Sequence, residues 1–537
     1  MAEPPALMEK VVEEIFPHAG RPPPTGSRWT PALPLSSCQE GGANSMEILL
    51  SAVLAELTTR SINFVISKHL KPSALDVEDQ LCRILLRAQV IIEEGMVRQI
   101  TNQAMLQQLD MLRDTMYRGY YLLDTFRYQT HKEEAEDQIV SRPSLLSKVN
   151  SVKDFCFPNG KVTHISEEML EVLDRLRSVI LDANESVLFL ASYTRMYRQP
   201  YSMHILLGNC MFGRKMEVEF VINILLQKQS PGSEGLEVLP IVGPAGVGKS
   251  TLVAHVCKDE RVRDHFSELL FLHDHEFTDD KLAFREGCAI KDQNSMSKSN
   301  KDKRLLIVVD LAEDLNEDAW NRLYHASKWC GPSGSKIIIM SRSEKVVKLG
   351  TTRPLTLKYL PHDAYWYFFK TLTFGSTDPE THPRLIQLAM EIARMLNGSL
   401  NAANVISCLL RDNFDIHFWC KVLSFMRRFI QEHVSKFGEH PIDLLRQNRP
   451  VWPGRMATSE HLIVFHQYHR SSQEEVPEIR IQDVLYGSVK THGKFEALVW
   501  RSQIPPYYSY VNTCEIQELK TTGAKRKRCM KDGVMHC

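Results

Sequence analysis

The segment Leu236–Asp259, LEVLPIVGPAGVGKSTLVAHVCKD, constrains the fold more than any other part of this chain. Gly243-Pro244-Ala245-Gly246-Val247-Gly248-Lys249-Ser250 fits the pattern GxxxxGK[ST], with an apolar strand-like run before it and a helix-like run after it. The chemistry needs these residue types. Glycines let backbone N–H groups curl around phosphate oxygens with no Cβ in the way. A helix starting near Lys249 aims its positive dipole end at the anion. Lys249 then bridges the β- and γ-phosphates, Ser250 ligates Mg²⁺, and Thr251 approaches the α-phosphate side. The expected ligand is a nucleoside di- or triphosphate.

A phosphate site of this kind needs a second strand that carries a carboxylate for Mg²⁺ and water. Leu305-Leu306-Ile307-Val308-Val309-Asp310 supplies one about sixty residues further on. Asp310 is therefore a candidate metal ligand and catalytic group; the bland alternative is a buried strand ending in a surface aspartate. A third strand, Gly334–Met340, runs into Ser341-Arg342. An arginine at that end of a strand can sense a γ-phosphate through charge-assisted bonds, or it can simply be a solvated surface residue.

Charge and cysteine usage narrow the setting. Lys+Arg and Asp+Glu are both 65 in 537 residues, so no basic excess points to nucleic acid. The 12 cysteines are scattered and none forms a CxxC pair, the pattern of reduced thiols rather than of a disulfide framework or a zinc site. No apolar core follows Met1 and no run approaches the length of a membrane span. The expectation is a cytoplasmic protein. Lys525-Arg526-Lys527-Arg528 reads either as a nuclear localisation signal or as a solvated tail.

Texture changes along the chain suggest its organisation. Residues 1–45 are rich in Pro, Gly and Ser and read as a disordered arm. Residues 46–192 carry four helix-period stretches, the first from Met46 to Leu70, then Val77–Glu94, Met105–Tyr128 and Glu167–Leu190. Their apolar stripes read as the core of a four-helix bundle, with a partner-binding face as the alternative. From 193 to 355, apolar runs at Val238–Val242, Leu269–Leu272, Leu305–Val309 and Lys336–Met340 alternate with helical ones, which implies a parallel sheet covered by helices. Residues 356–415 turn helical, 416–500 are mixed, and 501–537 read as a polar tail. The fold class is thus multidomain α and α/β: helical bundle, P-loop NTPase parallel sheet, helical subdomain and a further mixed region. No internal repeat is visible.

Taken together, these strands resemble the NB-ARC family, the nucleotide-binding switch of plant disease-resistance receptors. Met211-Phe212-Gly213-Arg214 is similar to the family's opening motif, which lies near the adenine. His265-Phe266 with Leu269–Leu272 is similar to the next strand, and Gly334–Arg342 is similar to the GSKIIxTSR block. Residues 46–192 resemble the coiled-coil domain of these receptors, with Asp124 the surviving acidic residue of an EDVID-like stretch. The overall texture is that of a grass-type receptor without leucine-rich repeats.

Three departures bear on function. Where the family has two aspartates followed by Val-Trp, this chain reads Val309-Asp310-Leu311-Ala312. If Asp310 aligns with the second aspartate, the metal position falls on Val309, and a one-residue shift in a strand moves a side chain to the opposite face. The GLPLA turn appears as Gly398-Ser399-Leu400-Asn401-Ala402, without its proline, and the Met-His-Asp motif as Ile481-Gln482-Asp483. Gln482 can hydrogen-bond phosphate but cannot carry charge.

The resemblance implies an ADP/ATP-binding switch in plant innate immunity. ADP and Mg²⁺ would hold a closed state; exchange for ATP would gain a contact at Arg342 and free the helical domain for other immune receptors, signalling proteins or self-association. It also implies a degenerate winged-helix-like region at 416–500. Two other functions compete: an active P-loop NTPase, and a repeat-less scaffold, helper or decoy with a structural nucleotide. His273 and His275, and the pair His466 and His469 at helical spacing, suggest a metal only weakly, because no further ligands lie near in sequence.

Overall fold

Runs that are apolar on both faces become central strands of a parallel sheet, because helices cover both sides. In the computed structural model, Leu305–Asp310 and Lys336–Ser341 are such strands. The structure describes residues 74–139, 162–195, 207, 211–228, 235–273, 304–311, 317–330, 334–458, 460–470, 474–491, 493–504 and 507–517, all in one unit that begins at Leu70. The arm at 1–45, the first expected helix at 46–70, His275 and the basic cluster at 525–528 lie outside these residues.

The elements, in order, are α1 (Ala74–Met96), α2 (Gln103–Ile139), α3 (Val162–Asp182), α4 (Asn184–Leu190), α5 (Lys215–Leu226), β1 (Glu237–Val242), α6 (Lys249–Val256), α7 (Glu260–His265), β2 (Glu268–His273), β3 (Leu305–Asp310), α8 (Glu317–Cys330), β4 (Lys336–Ser341) and β5 (Leu355–Thr356). There follow α9 (His362–Phe374), α10 (Pro383–Met395), α11 (Leu400–Asp412), α12 (Ile416–Phe437), α13 (Pro441–Arg446), β6 (His461–Arg470), α14 (Ile481–Tyr486), β7 (Lys494–Arg501) and β8 (Ser509–Gln517).

The five-stranded sheet is parallel, in the order β2-β3-β4-β1-β5. Strand alternation divides its side chains between two cores. Leu239, Ile241, Leu306 and Val308 pack with Val221 and Leu225 of α5 and Leu252 and Val256 of α6. Val238, Val242, Ile307 and Val309 pack on the other face with Trp320 and Leu323 of α8. The ends of β1, β3 and β4 therefore open at one edge, the usual position for a ligand in such sheets.

Three of the four expected bundle helices are described. The expected third helix runs on to Ile139, and the expected fourth is divided at Ala183 into α3 and α4. Most of the bundle's described core is shared with later elements: Leu112, Met116 and Phe126 of α2 lie in one apolar cluster with Trp366 and Phe369 of α9 and with Trp419 of α12.

The mixed region begins with a well-capped helix. Asp415 accepts the N–H of Phe418, and Gly438, in the left-handed region at φ 71°, closes α12. An antiparallel sheet in the order β6-β8-β7 follows. The boundary expected at residue 500 cuts through this sheet, because β8, its central strand, lies within the stretch read as a polar tail. His466 and His469 are strand residues of β6 rather than helical neighbours.

Candidate functional site

The loop after β1 is built around its glycines. A Cβ on Gly243 would sit 2.5 Å from the carbonyl oxygen of Leu357. Gly246 and Gly248 take φ 72° and 97°, the left-handed region that other residues rarely adopt. Gly248 is the N-cap of α6, which starts at Lys249.

Lys249 is buried, and its ammonium donates to the carbonyls of Gly243 and Pro244 at 2.7 and 3.0 Å. Burial, opposed by Asp310 and assisted by Arg342, lowers its pKa to about 8. The hydroxyl of Ser250 donates to Asp310 Oδ2 at 2.8 Å. Val309 is fully buried in the opposite core. Strand alternation thus turns Asp310, not Val309, towards the loop. Thr251 Oγ1 hydrogen-bonds the phenol of Tyr510 in β8 at 2.8 Å. Tyr359 donates to Ala245 O at 2.7 Å, and the Arg446 guanidinium lies 4.5 Å over its ring.

A cavity of about 820 Å³ opens over this loop. Ala245–Thr251, Asp310 and Arg342 form its floor. Phe212 and Arg214 line one side, Phe368, Leu400 and Arg411 a second, and Gln467, Tyr468, Trp500 and Tyr510 of the C-terminal sheet a third. Four cationic side chains, Arg214, Lys249, Arg342 and Arg411, meet one carboxylate, Asp310, among the described lining residues. That balance suits a polyanion.

The candidates from the sequence occupy distinct places. Gly243 and Pro244 hold Lys249, and Ala245 through Thr251 line the cavity. Phe212 lines it from within an aromatic cluster, 5.2 Å from Tyr117 and 5.1 Å from Phe368. Arg214 pairs with Glu217 at 2.8 Å and donates to Lys358 O. Leu400 stands in the wall at the position of the family's proline. Gln482 is not among the lining residues. It lies in α14, which packs on α11 and β7, and its Oε1 is buried without a hydrogen-bond partner among the described residues. From the same region, Gln467 and Tyr510 reach the cavity instead. Gln467 accepts from Asn401 Nδ2 at 2.9 Å, tying β6 to the start of α11.

Sequence reading missed Tyr510, Trp500, Gln467 and Arg411. The signal for Tyr510 was the β-branched and aromatic run Tyr507–Ile516, which has strand character. No group of three or more metal-binding side chains occurs among the described residues.

Residues 214–378 match the NB-ARC domain family. The central segment of the chain is thus similar to an NB-ARC domain. The matched segment contains the P-loop, Asp310, Arg342 and α9, so the floor of the cavity and part of its wall lie within the part of the chain that is similar to an NB-ARC domain. Disease resistance protein RGA2 from Solanum bulbocastanum is 24% identical over 349 residues, which cover 62% of this chain and 34% of that protein. Putative disease resistance protein RGA1 of the same species is 28% identical over 230 residues, 39% of this chain and 22% of that protein. Putative disease resistance RPP13-like protein 1 from Arabidopsis thaliana is 24% identical over 403 residues, 70% and 37%. The chain thus spans about a third of the length of most of these relatives. Among the described residues, no helix is long and apolar enough to cross a membrane.

Proposed function

We propose that this chain is an ADP/ATP-binding molecular switch in plant disease-resistance signalling. The observation that carries the reading is the shape of the cavity: the P-loop forms its floor, while the helical subdomain and the C-terminal sheet wall it. A ligand held there touches all three parts at once, so its phosphate state can set how they pack. The donor set suits a nucleotide: left-handed glycines, a buried lysine, and a hydroxyl–carboxylate pair at 2.8 Å.

When bound, Mg²⁺–nucleotide supplies the phosphate charge that these groups recognise. Lys249 would exchange its loop carbonyls for a phosphate oxygen. Ser250 and Asp310 would hold the metal, and Arg342 would meet the terminal phosphate. Phe212 and Arg214 would border the base. Retention rather than turnover is favoured, because the residue after Asp310 is the buried Leu311 and no second carboxylate lies among the described lining residues. On this reading the helical region passes the switch state to signalling proteins in the cytoplasm.

The test is to denature the purified chain and identify the released nucleotide by chromatography, beside Lys249→Ala. Near-stoichiometric ADP from the native chain, absent from the variant, is the expected outcome. A native chain that releases nothing and rejects added ADP and ATP overturns the reading.

A further inference from the structure

The contact between Thr251 and Tyr510 joins the first turn of α6 to the central strand of the C-terminal sheet, which is 259 residues away in sequence. Both residues line the cavity. Trp500 of β7 stacks on Tyr510, with ring centroids 5.7 Å apart and 25° between planes, and fixes the direction of the phenol. Its hydroxyl therefore meets Thr251 without the tyrosine having to be ordered on binding.

We propose that Tyr510 is a nucleotide-positioning residue, acting through Thr251, and that through it the C-terminal sheet senses whether the P-loop is filled. The inference rests on the nucleotide-binding reading above. A threonine hydroxyl has one proton and two lone pairs. When Tyr510 donates to Thr251 Oγ1, the threonine proton is left for an acceptor in the cavity. When Thr251 donates to Tyr510 instead, that proton is consumed. An anion on the P-loop selects the first arrangement, and a donor chain polarised in one direction strengthens both of its bonds. Burial pushes the Tyr510 phenol above its ordinary pKa, so it remains a donor near neutral pH.

Two features separate this role from simple adhesion between elements. The sheet reaches the loop at Thr251, beside the lysine and serine that would hold phosphate and metal. And Gln482, the residue expected to make the sheet region's phosphate contact, lies off the cavity. Coupling of this kind is reciprocal: bound nucleotide holds the sheet in place, and the sheet slows nucleotide release.

The experiment uses the full chain and fluorescent N-methylanthraniloyl-ADP, chased with excess ADP, together with thermal melts without nucleotide. Tyr510→Phe keeps the ring stack and removes only the hydroxyl. It is expected to speed release about fivefold, in line with one net hydrogen bond. The nucleotide-free melting temperature should stay near that of the native chain. Thr251→Val, which removes both the bond to the anion and the bond to Tyr510, should release at least as fast as Tyr510→Phe, the double variant should be no faster than Thr251→Val alone, and Thr251→Ser should restore slow release. Unchanged release in Tyr510→Phe, additive effects in the double variant, or a lower melting temperature with unchanged release would each overturn the proposal. A native chain that does not bind the probe removes the nucleotide reading and this proposal with it. Native binding that is lost in Lys249→Ala, with Tyr510→Phe unaffected, removes this proposal alone.

Discussion

If the cavity holds a nucleotide as proposed, Lys249 is the residue whose charge state controls the site. With the ammonium held against Gly243 O and Pro244 O, burial has already lowered its pKa to about 8. A phosphate needs the protonated form, and binding an anion favours that form further. Nucleotide affinity is therefore expected to be flat below pH 8. Above it, affinity falls as the free lysine loses its proton, by at most roughly tenfold per pH unit. Titrating the Kd for labelled ADP from mildly acidic to mildly alkaline pH checks this; an affinity that rises through pH 8 would show that Lys249 does not hold the phosphate. Asp310 gives a second expectation. Asp310→Asn can still accept from Ser250, so the fold should persist, but Mg²⁺ should no longer tighten nucleotide binding. Equal Mg²⁺ dependence in variant and native chains would move the metal elsewhere. Lys249, Ser250 and Asp310 were legible in the sequence because phosphate chemistry fixes residue type and spacing together. Whether Val309 or Asp310 faced the loop was not legible, because a strand's facing depends on its register with β2 and β4.

At the scale of elements, α2 and α9 meet across a buried ion pair. Asp124, 1% exposed, accepts from Trp366 Nε1 at 2.8 Å and from Lys370 Nζ at 2.8 Å. Removing one partner of a buried pair leaves the other charge uncompensated, at about 3–5 kcal/mol. Lys370→Ala strands the fully buried aspartate, whereas Asp124→Asn keeps an acceptor for Trp366 and leaves the more exposed lysine. Lys370→Ala is therefore expected to lower thermal stability more than Asp124→Asn. Adding Asp124→Asn to Lys370→Ala should recover part of the loss, since no buried charge is then left unpaired. Melts of the three variants decide this, and a double variant less stable than Lys370→Ala contradicts it. The sequence marked Asp124 as a surviving acidic position in the helical region, but its partner lies 246 residues away and no local pattern announces it. Strands β1, β3 and β4 were legible for the opposite reason: each is apolar on both faces and reports its burial by composition alone. Strand β8 mixes Asn512, Thr513 and Glu515 with buried Val511 and Cys514, and becomes a strand through pairing with β6 and β7.

Over the whole molecule, the C-terminal sheet decides whether the cavity is a cleft or an enclosure. Because β8 lies between β6 and β7, a chain ended after Trp500 loses the central strand and leaves its two neighbours with no partner in the sheet. Leu462, Val464 and Ala497, buried in the intact sheet, then lose cover, and two strand edges open to other chains. Trp500 also loses Tyr510, and Thr251 its hydroxyl partner. Such a chain is expected to release labelled ADP at least as fast as Tyr510→Phe and to elute from size exclusion as aggregate or expanded species. A chain ended after Gln517 keeps all three strands and the Thr251 contact, and is expected to hold ADP as the native chain does. If the shorter chain were monomeric, compact and equally slow in release, the sheet would be an appendage and the P-loop with its helical subdomain would hold the nucleotide alone. The texture changes near residues 193 and 356 were visible in composition, yet the core that unites α2, α9 and α12 crosses both of them. Contacts of that range depend on which faces meet in three dimensions, and so does the closure of the cavity by a sheet whose middle strand comes last in sequence.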